Sequence, residues 1–499
     1  MHTPKHDNQF IIDDGVPQAV DVTAVNRRAD RNLYATRQKI YPKLVHGSFR
    51  RIKWGLLFAT LGIYYMIPWV RWERGPGMPT QAVLLDMEHE RFFLFGLEIW
   101  PQEFYFVTGL LVLAALSLYL VTALAGRVWC GYFCPQTVWT DLMVAVERFW
   151  QGDRSERIRL DKEPWGARKL YKKSMTHASW LLIAMATGGA FVFYFADAPT
   201  LAGQLLTGTA PEPAYIFIAI LTFTTYLLGG IAREQVCIYM CPWPRIQGAM
   251  IDKDSFLVSY RDGRGEPRGP MQKHAAVQTN GDCIDCKACI AVCPMGIDIR
   301  DGAQMECIQC ALCIDACNDI MAKINRPRNL IGYATIAGLA AELNGQTSPP
   351  RLARPRTMLY AGLIAVVGLI MLAALQARST LELNVLADRN PLFVRLKDGG
   401  IRNGYTLRIS NKTQATKVFQ IKLENLDGAH LALEPQENAT TPSITVPPDA
   451  VSDVRAFVSM PPSALKIFNT DAHPFQLVVE DPAGGTESRR GASFRMPKP

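Results

Sequence analysis

The apolar residues of this chain follow two patterns. Up to about residue 376 they gather in long, charge-poor runs separated by basic or acidic stretches; beyond it they alternate with a period of two. A helix needs roughly 20 mostly apolar residues to cross about 30 Å of hydrocarbon. Five runs predict such helices: Trp54–Val70, Phe104–Ala125, Ala178–Phe195, Tyr215–Ile231 and Thr357–Gln376. The stretch Leu113–Ala125 carries no charge and the flanks hold Arg, Lys and Trp, which suits a bilayer better than a soluble core. In the last region LELNVL (Leu381–Leu386), YTLRIS (Tyr405–Ser410), VFQIKLE (Val418–Glu424), SITV (Ser443–Val446), VRAFVSM (Val454–Met460) and FQLVVED (Phe475–Asp481) read as strands. Turn signals such as Asp398-Gly399-Gly400 and Pro447-Pro448 separate them, which predicts a β-sandwich of immunoglobulin type.

Charge orients the spans. Ahead of the first stand Arg27, Arg28, Arg31, Arg37, Lys39, Lys43, Arg50, Arg51 and Lys53; between the second and third stand Arg127, Arg154, Arg157, Arg159, Lys162, Arg168, Lys169, Lys172 and Lys173. The 197–214 loop has no Lys or Arg, and the loop after the first span is mainly acidic (Asp86, Glu88, Glu90, Glu98, Glu103). Positive flanks stay inside. The N-terminus and the segment between spans four and five are therefore expected in the cytoplasm and the last domain outside. The polar opening residues show no secretory leader pattern. The formal net charge of +8 is spread over membrane flanks, which argues against a nucleic-acid partner.

All twelve cysteines lie between Cys130 and Cys317, so they are not spaced as a disulfide framework. Eight form two runs with the spacing CxxCxxCxxxC: Cys283, Cys286, Cys289 and Cys293-Pro294, then Cys307, Cys310, Cys313 and Cys317-Asn318. This is the bacterial two-cluster ferredoxin pattern, in which the last cysteine of each run serves the other cluster. One 4Fe–4S cluster is expected on Cys283, Cys286, Cys289 and Cys317, and a second on Cys293, Cys307, Cys310 and Cys313. Structural zinc would favour paired CxxC units rather than three cysteines in seven residues. No CxxC is followed by His, which excludes c-type haem attachment. Asn318 stands where the pattern has Pro, and either residue favours a turn.

The other four cysteines form an internal repeat, Cys130-Gly-Tyr-Phe-Cys134-Pro135 and Cys237-Ile-Tyr-Met-Cys241-Pro242, each preceded by an arginine (Arg127, Arg233). On a helix this spacing places two thiols on one face, one turn apart, with Pro marking the end. Such thiols suit Cu(I), for which Met240 is a further soft donor, or a dithiol–disulfide cycle; the residues leave both open. His46, His89 and His177 lie near membrane boundaries and no span has a central His, so a haem b pair is not expected.

With these pieces together, the chain resembles the FixG/CcoG family of bacterial cytochrome c oxidase accessory proteins (RdxA-like). The resemblance runs over nearly the whole chain: five spans, both CxYxCP pairs, the ferredoxin insert and the trailing sandwich. It implies a multi-domain fold: a cytoplasmic segment (1–53), four spanning helices with the thiol motifs (54–232), a cytoplasmic region (233–356) holding the ferredoxin-type domain at about 274–325, a fifth span (357–376) and a periplasmic sandwich (377–499). It also implies a role in assembling cbb-type oxidase by reducing Cu(II) to Cu(I), in the bacterial inner membrane. Expected partners are the bilayer, oxidase assembly factors or copper chaperones and transporters, and a cytoplasmic electron donor. Cys130, Cys134, Cys237 and Cys241 would then be the copper or redox thiols. A similar motif set belongs to NapH-type quinol dehydrogenases, whose electron-transfer subunit is the rival reading. A non-catalytic assembly scaffold is the third.

Overall fold

The computed structural model describes residues 12–13, 16–17, 19–26, 38–75, 78–270, 280–413, 415–434, 442–465 and 471–497. Arg27, Arg28, Arg31 and Arg37, the opening residues 1–11, and the first residues of the expected 274–325 domain lie outside them. The chain forms two compact units, Met1–Met371 and Leu372–Pro499.

Among the described residues four helices are long and apolar enough to cross a membrane: Pro101–Ala125, Ala167–Tyr194, Glu212–Ala232 and Pro355–Gln376. They match four of the five expected spans. The remaining one, Trp54–Val70, folds as the helix Ser48–Met66 and a 3-10 turn Ile67–Trp69, but is not among the four. The physical reason is its basic start: Arg50, Arg51 and Lys53 occupy its first two turns. Arg50 and Lys53 are buried there against Asp141, at 2.8 and 3.7 Å. Beyond them its apolar side chains point outward, with Phe58 and Ile63 at least 60% exposed. At 1.5 Å per residue it extends for about 28 Å. It lies beside Ala167–Ala190: Tyr64 donates a hydrogen bond to the Thr187 carbonyl (2.6 Å), and Tyr194 donates to the Tyr64 carbonyl (2.7 Å).

The acidic segment after this helix, expected as a loop, folds into a three-stranded antiparallel sheet of Val83–Asp86, Arg91–Leu94 and Leu97–Ile99. Gln81 and Arg71 fasten it to the far end of Ala167–Tyr194, through the Phe193 carbonyl (2.7 Å) and Asp197 (2.5 Å). The opposite end of the bundle carries the cysteine-rich module. There Leu257–Tyr260 pairs with Ile331–Ala334, closing a core of Ile290, Val292, Ile314, Ile320 and Leu330.

The second unit is a two-sheet sandwich with Ig-like topology. One sheet runs His430–Leu433, Ala450–Met460, Ile401–Asn411 and Leu381–Ala387, with Val394–Arg395 added to Ile401–Asn411. The other runs Ser443–Val446, Lys417–Glu424, Ala472–Glu480 and Glu487–Arg495. The period-two positions Tyr405, Leu407 and Ile409 meet Phe419, Leu477 and Phe494 in its core. Tyr405 also satisfies its buried hydroxyl by donating to the Ser493 carbonyl (2.8 Å).

Candidate functional site

The two CxxCxxC loops share one backbone device. The residues on either side of the middle cysteine are left-handed: Asp285 and Lys287 around Cys286 (φ 51° and 56°), and Gln309 and Ala311 around Cys310 (φ 55° and 60°). Non-glycine residues in that region carry about 1–3 kcal/mol of strain each when something over-determines them. Here the strain curls each loop so that thiols and backbone N–H groups face one point. N–H groups of Ala288, Met295, Ile297, Gln309 and Ile331 are directed at the sulfurs of Cys286, Cys293, Cys307 and Cys317.

The sulfurs separate into two sets. Cys317 lies near Cys283 and Cys286, and Cys289 near Cys286 and Cys317. Cys293 lies near Cys307 and Cys310, and Cys313 lies near all three and, most weakly, near Cys289 of the first set. Cys293, Cys307, Cys310 and Cys313, with Cys289 of the first set, line a small pocket walled by Ile297, Ile299 and Ile308. Burial pushes the Cys293 and Cys317 thiols up to about 12 and Cys307 to about 11, so each sulfur needs a cation to stay ionised there. Among the described residues no three His, Cys, Asp or Glu side chains converge tightly enough for a single ion. Spread thiols around a void, with N–H groups turned inward, fit an iron–sulfur cubane and do not fit a lone zinc.

The turn expected at Asn318 is absent. Cys317 and Asn318 lie inside the helix Leu312–Lys323, where Pro would remove a helical hydrogen bond. Asn318 instead accepts a hydrogen bond from the Asn329 N–H (2.7 Å) and holds the chain leading into Ile331–Ala334.

The CxYxCP repeats differ from the expected α-helical turns. Both are π-helical, Trp129–Phe133 and Val236–Met240, closed by bonds from the Cys134 N–H to the Trp129 carbonyl (2.9 Å) and from the Cys241 N–H to the Val236 carbonyl (2.8 Å). The widened turn keeps each thiol pair on one side, and Pro then starts a new direction. The pairs lie near one another, since Cys134 of the first repeat neighbours both Cys130 and Cys237. Burial raises both Cys130 and Cys237 to about 12. The Cys130 thiol donates to the Gln247 side-chain oxygen (3.0 Å). All four are free thiols.

The first repeat sits directly on the second cysteine loop. A Cβ on Gly131 would come within 2.8 Å of the Ile308 carbonyl oxygen, and Tyr132 donates to the Cys310 carbonyl (3.3 Å). The second repeat is more open: Tyr239 and Met240 are 47% and 64% exposed. His89 pairs with Asp86, and His177 with the Tyr226 hydroxyl, each at 2.8 Å, so neither joins the thiols. Sequence reading missed the left-handed residues and Gln247; none carries a local motif.

Comparison with known proteins gives three family matches: a "4Fe-4S dicluster domain" over residues 232–336, a "4Fe-4S binding domain" over 107–151, and the "IG-like fold at C-terminal of FixG" over 371–497. The nitrogen fixation protein FixG of Rhizobium meliloti is 48% identical, covering 96% of this chain and 97% of its own. Protein RdxA of Cereibacter sphaeroides is 51% identical, covering 86% of this chain and 91% of its own. A crystal structure of a FixG-related protein from Vibrio parahaemolyticus covers 24% of this chain and 99% of its own, at 21% identity and a TM-score of 0.21. Near-complete coverage at this identity, with both iron–sulfur matches falling on the cysteine motifs, shows that the chain belongs to the FixG family and is a membrane iron–sulfur electron-transfer protein.

Proposed function

We propose that this chain reduces Cu(II) to Cu(I) at Cys130, Cys134, Cys237 and Cys241 and thereby supports assembly of a cbb-type cytochrome c oxidase. The observation that carries this reading is the neighbourhood of four free thiols, more widely spread than a closed single-ion site, with the first repeat seated on the loop of the second cysteine set. In it, Cys283, Cys286, Cys289 and Cys317 hold one 4Fe–4S cluster and Cys293, Cys307, Cys310 and Cys313 the other. The clusters supply one-electron storage when bound. The protein contributes the rest: Ile297, Ile299 and Ile308 exclude water, Gly131 lets the loop approach, and the soft thiolates favour Cu(I) as product.

Five helices cross the bilayer in this reading, with the N-terminus and cysteine module cytoplasmic and the sandwich periplasmic. Electrons come from a cytoplasmic donor, and copper is exchanged with chaperones or transporters. The test is stoichiometric. The four cysteines are replaced by Ser and the anaerobic protein is assayed for iron, acid-labile sulfide and Cu(I) formation. Cluster content is expected to persist while copper reduction is lost; undiminished reduction would rule the thiols out.

One observation favours the quinol reading as a second. A mainly apolar cavity of about 420 Å³ lies within the helix bundle, lined by Tyr64, Phe133, Pro135, Thr187 and Thr225, the second and third of which bracket Cys134 in the chain. Cluster reduction on adding a hydroquinone to the same preparation would support that reading.

A further inference from the structure

Arg127 is 4% exposed and sits in the bend between the spanning helix Pro101–Ala125 and the first thiol repeat. Its N–H donates to the Gln309 side-chain oxygen (3.0 Å), and its guanidinium donates to the carbonyls of Met305 and Cys307 (3.3 Å to the latter). The other guanidinium nitrogen reaches the Pro244 carbonyl (2.8 Å), just beyond the second repeat, and the Met305 sulfur (3.3 Å). One buried cation thus ties both thiol repeats to the loop that carries Cys307 and Cys310. These acceptors are carbonyls, an amide and a thioether, so none of them cancels the charge. Cys307, Cys130 and the carboxyl of Glu306 are the titratable groups nearest in influence to Arg127.

Two other arginines show the contrast. Arg233 holds the matching place before Cys237, but it is paired with Glu147 at 2.9 Å. Arg300 approaches the Cys283 sulfur (3.9 Å), but Asp285 and Asp298 neutralise it at 2.5 and 2.8 Å. The second cysteine set therefore faces a guanidinium that hydrogen-bonds neutral groups of Met305, Cys307 and Pro244, with Glu306 as a carboxylate neighbour, while the first faces one paired directly with two carboxylates.

Reduction of an iron–sulfur centre adds one negative charge, and a buried cation beside it favours that state. We propose that Arg127 makes the centre held by Cys293, Cys307, Cys310 and Cys313 the easier of the two to reduce, so that electrons collect beside Cys130 before leaving. This rests on the cluster assignment and copper reading above. Each transfer moves one electron, oxidising that centre and converting Cu(II) to Cu(I).

The test is a redox titration of the anaerobic full-length protein, followed by EPR without copper, alongside an iron count. In Arg127→Gln the higher of the two midpoints should shift at least tenfold toward the oxidised form, about 59 mV for one electron, and a shift confined to the lower one overturns the proposal. The other should stay in place, and Arg127→Lys, which keeps the charge, should restore most of the shift. Met305→Glu alters a side chain that is 44% exposed and brings a carboxylate to the same guanidinium. It should give a smaller shift of the same sign at full iron content, and it decides the matter if Arg127→Gln loses iron. Two unmoved midpoints in Met305→Glu, or a Lys variant shifted as far as Gln, overturn the proposal. Copper is absent from this titration, so failure of the copper reading is recognised separately by the Ser variants.

Discussion

Glu147 is 1% exposed and faces Arg233, Arg157 and Lys39 at 2.9, 3.1 and 3.1 Å. Burial alone would raise its carboxyl above the ordinary 4.5, but Arg233, Lys39 and Arg157 together hold it at about 2. A carboxyl depressed on folding stabilises the fold above its unfolded value, and that stability goes as pH falls through the folded value. The contribution should therefore be complete above about pH 4.5 and disappear towards about pH 2. Acid unfolding in detergent should show this window in the native protein and lose it in Glu147→Gln. Glu147→Ala, which leaves buried guanidinium groups unpaired, should destabilise by about 3–5 kcal/mol. In the sequence Lys39 and Arg157 read as topology signals, and nothing singled out Glu147. Their meeting depends on segments far apart in the chain, which no local pattern reports.

At the scale of elements, the cysteine spacings were legible because ligand geometry constrains spacing directly. The π turns were not, since CxYxCP suits an α turn equally well; the difference lies in whether the Cys134 N–H reaches back to Trp129. The left-handed pairs around Cys286 and Cys310 were hidden as well, because Asp, Lys, Gln and Ala stand where glycine would have signalled them. Gly131 was visible as a letter but not as a contact. Alanine there would force the Ile308–Gln309 backbone away and should destabilise by about 1–3 kcal/mol. The expected result for Gly131→Ala is a lower Tm with fewer than the native number of iron atoms per chain. A fully loaded variant with unchanged Tm would show that the seam is slack.

For the whole molecule, the hydrophobic runs outlined the bundle and the period-two stretches outlined most of the sandwich. Strands Ile401–Asn411 and Ala450–Met460 extend beyond their predicted ends, and Glu487–Arg495 escaped because Arg489, Arg490 and Gly491 interrupt the alternation. The sheet of residues 83–99 was concealed by its acidic composition. The helix Ser48–Met66 bears on topology. Its basic start is buried against Asp141 at the cysteine module, and its other end reaches Tyr194. A phosphatase reporter inserted at the exposed 87–90 turn should be active outside the cytoplasm, and one fused to the N-terminus, ahead of this helix, should not. Equal activity at both positions would mean that this helix does not cross.

The two thiol repeats match in sequence but not in setting. Tyr132 is buried beneath a cysteine loop, whereas Tyr239 and Met240 look outward. On the copper reading, an incoming ion encounters Cys241 and its surroundings first, and an incoming electron encounters Cys130 first. A duplicated motif has thereby acquired a polarity: one copy serves as the receiving hand for cargo and the other as the terminal of the wire.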